Sequence, residues 1–301
     1  MKGGRGVFER GARVIITGAT SGIGAEAARQ LGARGCRVAV TGRREEKLRA
    51  TEAAVRAAGA EDVIALAGSV TDPATVRRHV AAVCDAWGGV DVAILNAGVG
   101  DSEHARRFTA ANQRWHFETN VFGVCNWLEV LIPLMLEARS GVIAGVSSPA
   151  GWRGMPASGA YSASKAAVST LLESVRVDLR GTGISIVTVC PGFVKSELTD
   201  RNDPRDMPYV LSAEDGVRRM LRGIEKRRRL VHFPRRLLWP LRYGIALMPP
   251  WLYDLVASRV IRRAKAPYDD PERDRHPEGR CSVDPPHRLR EDSSCAPDGE
   301  R

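Results

Sequence analysis

RVIITGATSGIGAEAARQLGARG, residues 13–35, decides the fold. Arg13–Thr17 is a short apolar run, glycines stand at 18, 22 and 24, and the helical pattern AEAARQLGARG follows. Strand, glycine loop and helix in that order give a glycine pattern meaning. The glycines permit a tight turn and a close backbone approach to a pyrophosphate. The helix start adds unpaired N–H groups and the positive end of its dipole. Glycine also merely punctuates loops, so the reading needs support from the rest of the chain.

That support is an unbroken βα alternation. Strands are expected at 37–41, 63–67, 91–95, 142–147 and 184–190, with helices at 44–58, 73–87, 109–136 and 158–180 between them. Pro73 after Asp72 supplies a first-turn proline and an N-cap. Ser212-Ala-Glu-Asp215 is a capping-box pattern that opens a further helix, and 230–233 reads as a seventh strand. Strands separated by helices of ten or more residues form parallel βαβ units. The expected fold is therefore α/β, a doubly wound parallel sheet of the Rossmann type, about seven strands with helices on both faces and a C-terminal helical extension. Ligands of such sheets bind at the carboxyl ends of the strands. Gly18, Asn96, Ser148 and Pro191 all follow strands at that edge, so they belong to one site.

At 301 residues, 44% apolar and 27% charged, the chain is long enough for a large core. Residues 1–12 are mostly glycine and charge, which argues against a secretory signal. The six cysteines show no C-x-x-C spacing, which points to a reducing cytoplasm and no metal centre. The net charge of +10 is concentrated: residues 218–263 hold thirteen Lys/Arg against Glu225 and Asp254, and the remainder sums to −1. A basic face spread over a whole domain, as in a nucleic-acid enzyme, is not what this shows.

SPAGWRGMPASGAYSASK, residues 148–165, carries the chemistry. Tyr161 and Lys165 stand four apart, on one face of a helix. A free phenol has a pKa of about 10, and a cation one turn away favours its ionised form, making the pair useful for acid–base work. Only six of the 45 basic residues are Lys, yet position 165 is one of them. A compact ammonium there is a choice against the chain's habit. A solvated helix pair is the alternative on these residues alone.

Taken together, the chain resembles the short-chain dehydrogenase/reductase family from about residue 10 to 235. Thr17-Gly18-x-x-x-Gly22-x-Gly24 is similar to the family's cofactor turn, with Ser21 and Ile23 inside it. Asn96-Ala97-Gly98 resembles its strand-four motif, and Pro191-Gly192 with Val194 its turn after strand six. Asn120, Ser148, Tyr161 and Lys165 match its catalytic positions. The resemblance implies that Tyr161 exchanges a proton with a carbonyl or alcohol oxygen. It further implies that Lys165 lowers the phenol's pKa and holds the nicotinamide ribose, that Ser148 bonds the substrate oxygen, and that Asn120 binds a water linking Lys165 to solvent. One departure is Gly68-Ser69-Val70 after strand three, where the family usually has Asp near the adenine.

Cofactor choice follows from charge. Strand two ends in Thr41-Gly42-Arg43-Arg44 with no carboxylate, which favours a 2′-phosphate and therefore NADP(H), with NAD(H) as the alternative. Trp152, Met155, Phe193 and Leu198 suggest a bulky apolar substrate. Residues 1–235 are expected to form the catalytic domain, with a substrate loop at 193–212. Residues 236–264 form a basic amphipathic extension, with Trp251, Leu252, Leu255, Val256 and Val260 on one helical face. That extension could cap the cleft, pack on a second subunit or touch a membrane peripherally. From residue 265 to 301 apolar residues nearly vanish and disorder is expected. The resemblance implies a homodimer or homotetramer through helices 109–136 and 158–180. The expected function is an NADP(H)-dependent carbonyl/alcohol oxidoreductase. A nucleotide-sensing binding protein and an epimerase working through a keto intermediate are the alternatives.

Overall fold

A computed structural model describes residues 6–201, 207, 209–234, 238, 242–245 and 247–263. Its sheet has seven parallel strands: β1 (Arg13–Thr17), β2 (Arg37–Gly42), β3 (Asp62–Ala67), β4 (Val92–Leu95), β5 (Gly141–Val146), β6 (Ile184–Pro191) and β7 (Leu230–Phe233). They lie in the order β3-β2-β1-β4-β5-β6-β7, so the strand order reverses between β1 and β4. The crevice above that reversal is where a doubly wound sheet takes its ligand.

Side chains alternate across each strand. Along β1, Val14 and Ile16 join a core cluster with Leu31, Val38, Val40 and Leu221 on one face. Ile15 between them joins Val83, Trp127, Leu131 and Ile143 on the other. The first face is covered by α1 (Gly22–Gly32), α2 (Glu45–Ala57) and α7 (Ala213–Glu225). The second is covered by α3 (Pro73–Trp87), α5 (Gly123–Ala138) and α6 (Gly159–Asp178). Two-sided burial explains why the strands read as apolar runs rather than alternating ones. Expected element boundaries move by one or two residues, within ordinary end fraying.

Local signals behave as their chemistry dictates. Asp72 caps α3 by accepting from the Ala74 N–H at 3.0 Å, and Gly88 ends it in the left-handed region at φ 77°. The Ser212 hydroxyl accepts from the Asp215 N–H at 3.1 Å and starts α7. The single long helix expected over 109–136 is broken: α4 (Ala110–Phe117) passes through a five-residue π turn, Glu118–Phe122, into α5. That stretch, Ala110–Ala138, has the length and apolarity to cross a membrane. Its Trp127, Leu128, Leu131 and Met135, however, are buried in the sheet's core cluster.

After β7, the described residues of the extension return to the segment that follows β5. Arg153 donates from Nη1 to the Ile245 and Met248 carbonyls, both at 3.0 Å, and its guanidinium lies 4.5 Å from the Tyr253 ring centroid. The Tyr253 hydroxyl donates to the Gly154 carbonyl at 2.5 Å, anchoring α8 (Pro250–Arg263). The apolar face expected on this helix is not its docking face. Trp251 is 68% exposed, and Leu255 and Val256 are exposed beside it. The contact is carried instead by Tyr253, whose hydroxyl can satisfy a backbone carbonyl. The tail 265–301 and residues 202–206 of the substrate loop lie outside the described residues.

Candidate active site

The site begins at the ends of β1 and β4. The Thr17 hydroxyl accepts from the backbone N–H of Asn96 at 3.0 Å and of Ala97 at 2.9 Å. The Asn96 amide donates to the Thr17 and Gly18 carbonyls. Thr17 and Asn96 thus lock two adjacent loops together. Gly18 sits at φ 65°, and a Cβ on it would lie 2.7 Å from the Ala97 Cα, so both its conformation and its contact require glycine.

Ser21 occupies the N-cap position of α1, but its hydroxyl makes no capping bond. It accepts from Arg44 instead, at 3.1 Å. The first-turn amides at Gly22, Ile23 and Gly24 are therefore uncapped at a helix start facing the crevice. Uncapped amides at a helix start are the donors an anion would need there. Arg44 itself arches over the turn, donating to Thr20 Oγ1 at 2.9 Å and to the Glu197 carboxylate at 2.9 Å. Arg43 beside it is exposed. The Ser69 hydroxyl is taken up in a local turn, accepting from the Thr71 N–H at 3.2 Å. The Val70 carbonyl accepts from Asn126 at 2.9 Å. Gly192 is tied to Phe233 by a backbone bond of 2.8 Å. The Val194 side chain is buried in the core, so only its backbone is left for a cofactor.

At the other end of the crevice, Tyr161 and Lys165 lie in the first turns of α6. The Lys165 Nζ lies 5.7 Å from the Tyr161 ring centroid and donates to the Val146 carbonyl at the end of β5, at 2.9 Å. Ser148 begins the turn after β5, where its hydroxyl accepts from the Ala150 N–H at 3.2 Å and lies close enough to the Tyr161 phenol to favour its ionised form. Gly98 shows the convergence: a Cβ there would lie 3.1 Å from the Asn120 Oδ1 and 3.2 Å from the Lys165 Nζ. Asn120, Ser148, Tyr161, Lys165 and the Asn96–Gly98 loop are therefore one cluster.

The electrostatics differ from the sequence expectation. Burial pushes the Tyr161 phenol above its ordinary value and outweighs the bond from Ser148, which acts in the opposite direction. Burial also pulls the Lys165 ammonium down to about 8. The expected lowering of the Tyr161 pKa by Lys165 does not appear, because loss of water is the leading cause at both groups. With its pKa raised above the ordinary value, the Tyr161 phenol holds its proton at neutral pH.

Asn120 sits in the π turn, an arrangement that concentrates at functional positions. Its Oδ1 accepts from the Val99 N–H at 2.8 Å, and its amide donates to the Val99 carbonyl at 3.0 Å and to Ser164 Oγ at 2.9 Å. Ser164 in turn donates to the Tyr161 carbonyl at 2.8 Å. Both amide hydrogens are spent, so the side chain braces α6 against the Val99 loop. A water link would have to use its main chain or the spare lone pair of Oδ1.

Several participants went unnoticed in the sequence. Ser147, before Ser148, donates to the Lys165 carbonyl at 2.8 Å. Its signal was its place at the strand end. His116 is buried with both ring nitrogens engaged, by the Asn112 carbonyl and the Asp101 N–H, and its ring stands edge-on to Tyr161 at 6.4 Å. Burial lowers its pKa. A lone histidine in a helix gives no such signal. Gly151 lets the Ser148 turn approach α6, since a Cβ would lie 2.7 Å from the Ala166 nitrogen. Of the expected substrate-side residues, Leu198 reaches the cluster: its Cδ1 and the Tyr161 ring both border Gly100, at 3.2 and 3.3 Å from a Cβ there. Trp152 packs against His232 and lies under Arg242.

A doubly wound sheet whose crevice holds the Ser148–Tyr161–Lys165–Asn120 cluster at one end and Arg43 and Arg44 at the other fits an oxidoreductase of the pyridine-nucleotide class. The family model for short chain dehydrogenase matches residues 12–206, and the chain belongs to the short-chain dehydrogenase/reductase family. An uncharacterized oxidoreductase of Myxococcus xanthus is 42% identical over 246 residues, covering 82% of this chain and 96% of that one. An 11-beta-hydroxysteroid dehydrogenase of Pinus massoniana is 32% identical, over 73% of this chain and 66% of its own length. A short-chain dehydrogenase/reductase of Burkholderia phymatum, solved in complex with NAD, superposes with a TM-score of 0.72 at 30% identity. It covers 77% of this chain and 92% of its own. The protein is an enzyme of this family, whose general chemistry interconverts carbonyls and alcohols.

Proposed function

We propose that the protein is an NADP(H)-dependent reductase of a bulky apolar carbonyl compound, with Tyr161 as the general acid and base. The observation that carries it is the cluster at the crevice above β4 and β5, where Lys165 and Asn120 are buried beside the half-buried Tyr161 and Ser148. When bound, the nicotinamide supplies the hydride for the carbonyl carbon. Tyr161 gives its proton to the substrate oxygen, and the Ser148 hydroxyl bonds that oxygen as charge develops. Lys165, held by the Val146 carbonyl, keeps a positive charge beside the phenol and is placed to bind the nicotinamide ribose. Asn120 fixes the Val99 loop against α6 and so positions Tyr161.

The glycine turn, the Asn96–Gly98 loop, Pro191, Gly192 and the Val194 backbone would hold the rest of the dinucleotide. Arg44, with Arg43, faces the ribose end and favours a 2′-phosphate. An apolar substrate is supported by Leu198 next to Tyr161, and a relative's name refers to a hydroxysteroid. The extension acts as a cap on the segment 149–155, which its Arg153 and Tyr253 contacts support. Its outward residues, with Leu247 83% exposed beside Trp251, suit a peripheral contact with an anionic membrane. Association through α4, α5 and α6 follows the family, and a reducing cytoplasm suits the four described cysteines, all unpaired.

The decisive experiment follows consumption of NADPH and of NADH against a panel of hydrophobic ketones, with product alcohol measured. Stoichiometric alcohol from NADPH supports the reading. Preference for NADH overturns the cofactor assignment, and nucleotide binding without turnover of any ketone replaces it with the sensing alternative. Liposome sedimentation with and without residues 234–264 tests the membrane contact.

A further inference from the structure

Arg44 and Lys47 are occupied by a carboxylate from a distant part of the chain. Glu197, in the segment that follows β6, accepts from Arg44 Nη1 at 2.9 Å and pairs with Lys47. Arg44 lies at the N-cap of α2 and Lys47 in its first turn, 153 and 150 residues away in sequence. These are the cations placed to read a ribose 2′-phosphate. The same Arg44 guanidinium reaches Thr20 and Ser21, which ties the carboxylate to the glycine turn as well. Ser196, one residue earlier, also leans on that turn: its Cβ would stand 2.9 Å from a side chain begun at Gly22. Around this contact the loop is internally stapled. The Thr199 hydroxyl donates to the Val194 carbonyl at 2.9 Å and accepts from the Ser196 N–H at 2.8 Å. Leu198, next to Glu197, borders Tyr161. One short segment therefore touches the adenosine end with its carboxylate and the chemistry end with its apolar side chain.

We propose that Glu197 is a specificity-determining residue for the cofactor, an internal anion that holds the 2′-phosphate position until a phosphate-bearing nucleotide displaces it. The inference rests on the assignment of Arg44 to the ribose end. A carboxylate carries one charge and a nucleotide 2′-phosphate close to two, and Arg binds either through the same paired donors. The phosphate therefore wins the exchange, but against the free energy of the contact it replaces. A nucleotide without the phosphate leaves Glu197 in place. Displacement also frees residues 195–200 from the glycine turn, so loading the phosphorylated cofactor loosens the segment beside Tyr161.

The test uses the full chain and two nucleotide fragments, adenosine 2′,5′-bisphosphate and 5′-AMP, titrated calorimetrically into wild type, Glu197→Gln and Asp200→Asn. Asp200→Asn removes the same charge from the same loop without touching Arg44. Glu197→Gln is expected to tighten the bisphosphate by about tenfold, the scale of one charge-assisted hydrogen bond, and to leave 5′-AMP within about twofold. Asp200→Asn should leave both within about twofold. Hydrogen exchange is the second readout. The bisphosphate should speed exchange over 195–200 in wild type, 5′-AMP should not, and Glu197→Gln should exchange fast in all states. Unchanged bisphosphate affinity in Glu197→Gln overturns the proposal, as does equal tightening in Asp200→Asn. So does exchange over 195–200 that ignores the bisphosphate. The two readings fail separately. A wild type preferring NADH whose Glu197→Gln variant gains the bisphosphate keeps this inference and loses the NADP(H) assignment. A wild type preferring NADPH with an indifferent Glu197→Gln variant does the reverse.

Discussion

At the Tyr161 end of the crevice Lys165 is 5% exposed and Asn120 1%, and their partners are backbone groups and the Ser164 hydroxyl. At the glycine-turn end, where the proposed cofactor would place its adenosine, the Arg44 and Glu197 side chains are 47% and 46% exposed and hold each other directly. The first end is fixed by burial, where an unmade bond is costly and geometry is stiff. The second is fixed by charge in water, where each pair contributes little and salt weakens it. Glu197 shows how adjustable the wet end is. Its carboxylate is held down to about 2, chiefly by the bond from Lys47 and also by Arg44, while all three side chains stay about half exposed to solvent.

The dry end should break hardest. Replacing Tyr161 by Phe keeps the ring and its contact with His116 but removes the proton. Ketone turnover should fall about a thousandfold, inside the range for a positioned general acid, while nucleotide affinity stays within about twofold. Residual turnover above about a tenth would mean that another group protonates the oxygen. Lys165 offers a second measure, in stability. Its pKa falls from 10.5 to about 8 on burial. Between those values the unfolded chain holds a proton that the folded chain has released, so the lysine's contribution to stability rises with pH through this window. Lys165→Met lacks the effect. Relative to wild type the variant should be most stable below pH 8 and lose up to about 3 kcal/mol of that advantage by pH 10.5. Urea denaturation at pH 7 and pH 10 reads it, and a constant difference would mean the ammonium is not desolvated.

The same division explains what could be read in the chain. The sheet was legible because its signals are local: apolar runs, Pro73 after Asp72, and a glycine turn between strand and helix. Tyr161 and Lys165 were legible because one helix holds both, four residues apart. The sign of the phenol's shift was not, since it depends on burial by His116, the Val99 loop and the residues around Gly100, which no spacing records. Asn120 could be placed by resemblance, but its brace to Ser164 needed the π turn, which nothing in ETNVF announces. Glu197 was invisible for the same kind of reason. Its partners are more than a hundred residues away, and a glutamate in a polar loop looks like solvated charge. On α8 the expected apolar face leaves Trp251, Leu255 and Val256 exposed, and the Tyr253 hydroxyl, which the pattern did not single out, bonds the Gly154 carbonyl.

Gly151 probes how tightly the dry end is stapled. A methyl group there would sit 2.7 Å from the Ala166 nitrogen and the Lys165 carbonyl carbon, so the Ser148 turn has to back away from α6. Gly151→Ala should lose about 1–3 kcal/mol of stability, as overpacked sites do. It should also lose about tenfold in kcat, because a displaced Ser148 no longer meets the oxygen that Tyr161 protonates. Gly154, three residues on, has nothing within 4 Å of its would-be Cβ, so Gly154→Ala should be silent in both measurements. If the two alanines behave alike, the close approach at Gly151 does not set the position of Ser148.

Arg44→Ala makes the smallest and most informative change. It removes the cation shared by Thr20, Ser21 and Glu197 and leaves the buried cluster untouched. Adenosine 2′,5′-bisphosphate should bind about tenfold more weakly and 5′-AMP about as before, the loss of one charge-assisted contact. Salt then separates the two ends. Raising the ionic strength from about 0.05 to 0.5 M shortens the screening length well below the size of the site. In wild type this should weaken the bisphosphate more than 5′-AMP. In Arg44→Ala the two slopes should converge, because most of the screened interaction has already gone. The kcat of wild type with saturating cofactor should barely respond, since the cluster's one cation, Lys165, is buried. A kcat that falls with salt as steeply as bisphosphate affinity would show that the chemistry end is as wet as the adenosine end, and the contrast between them would not stand.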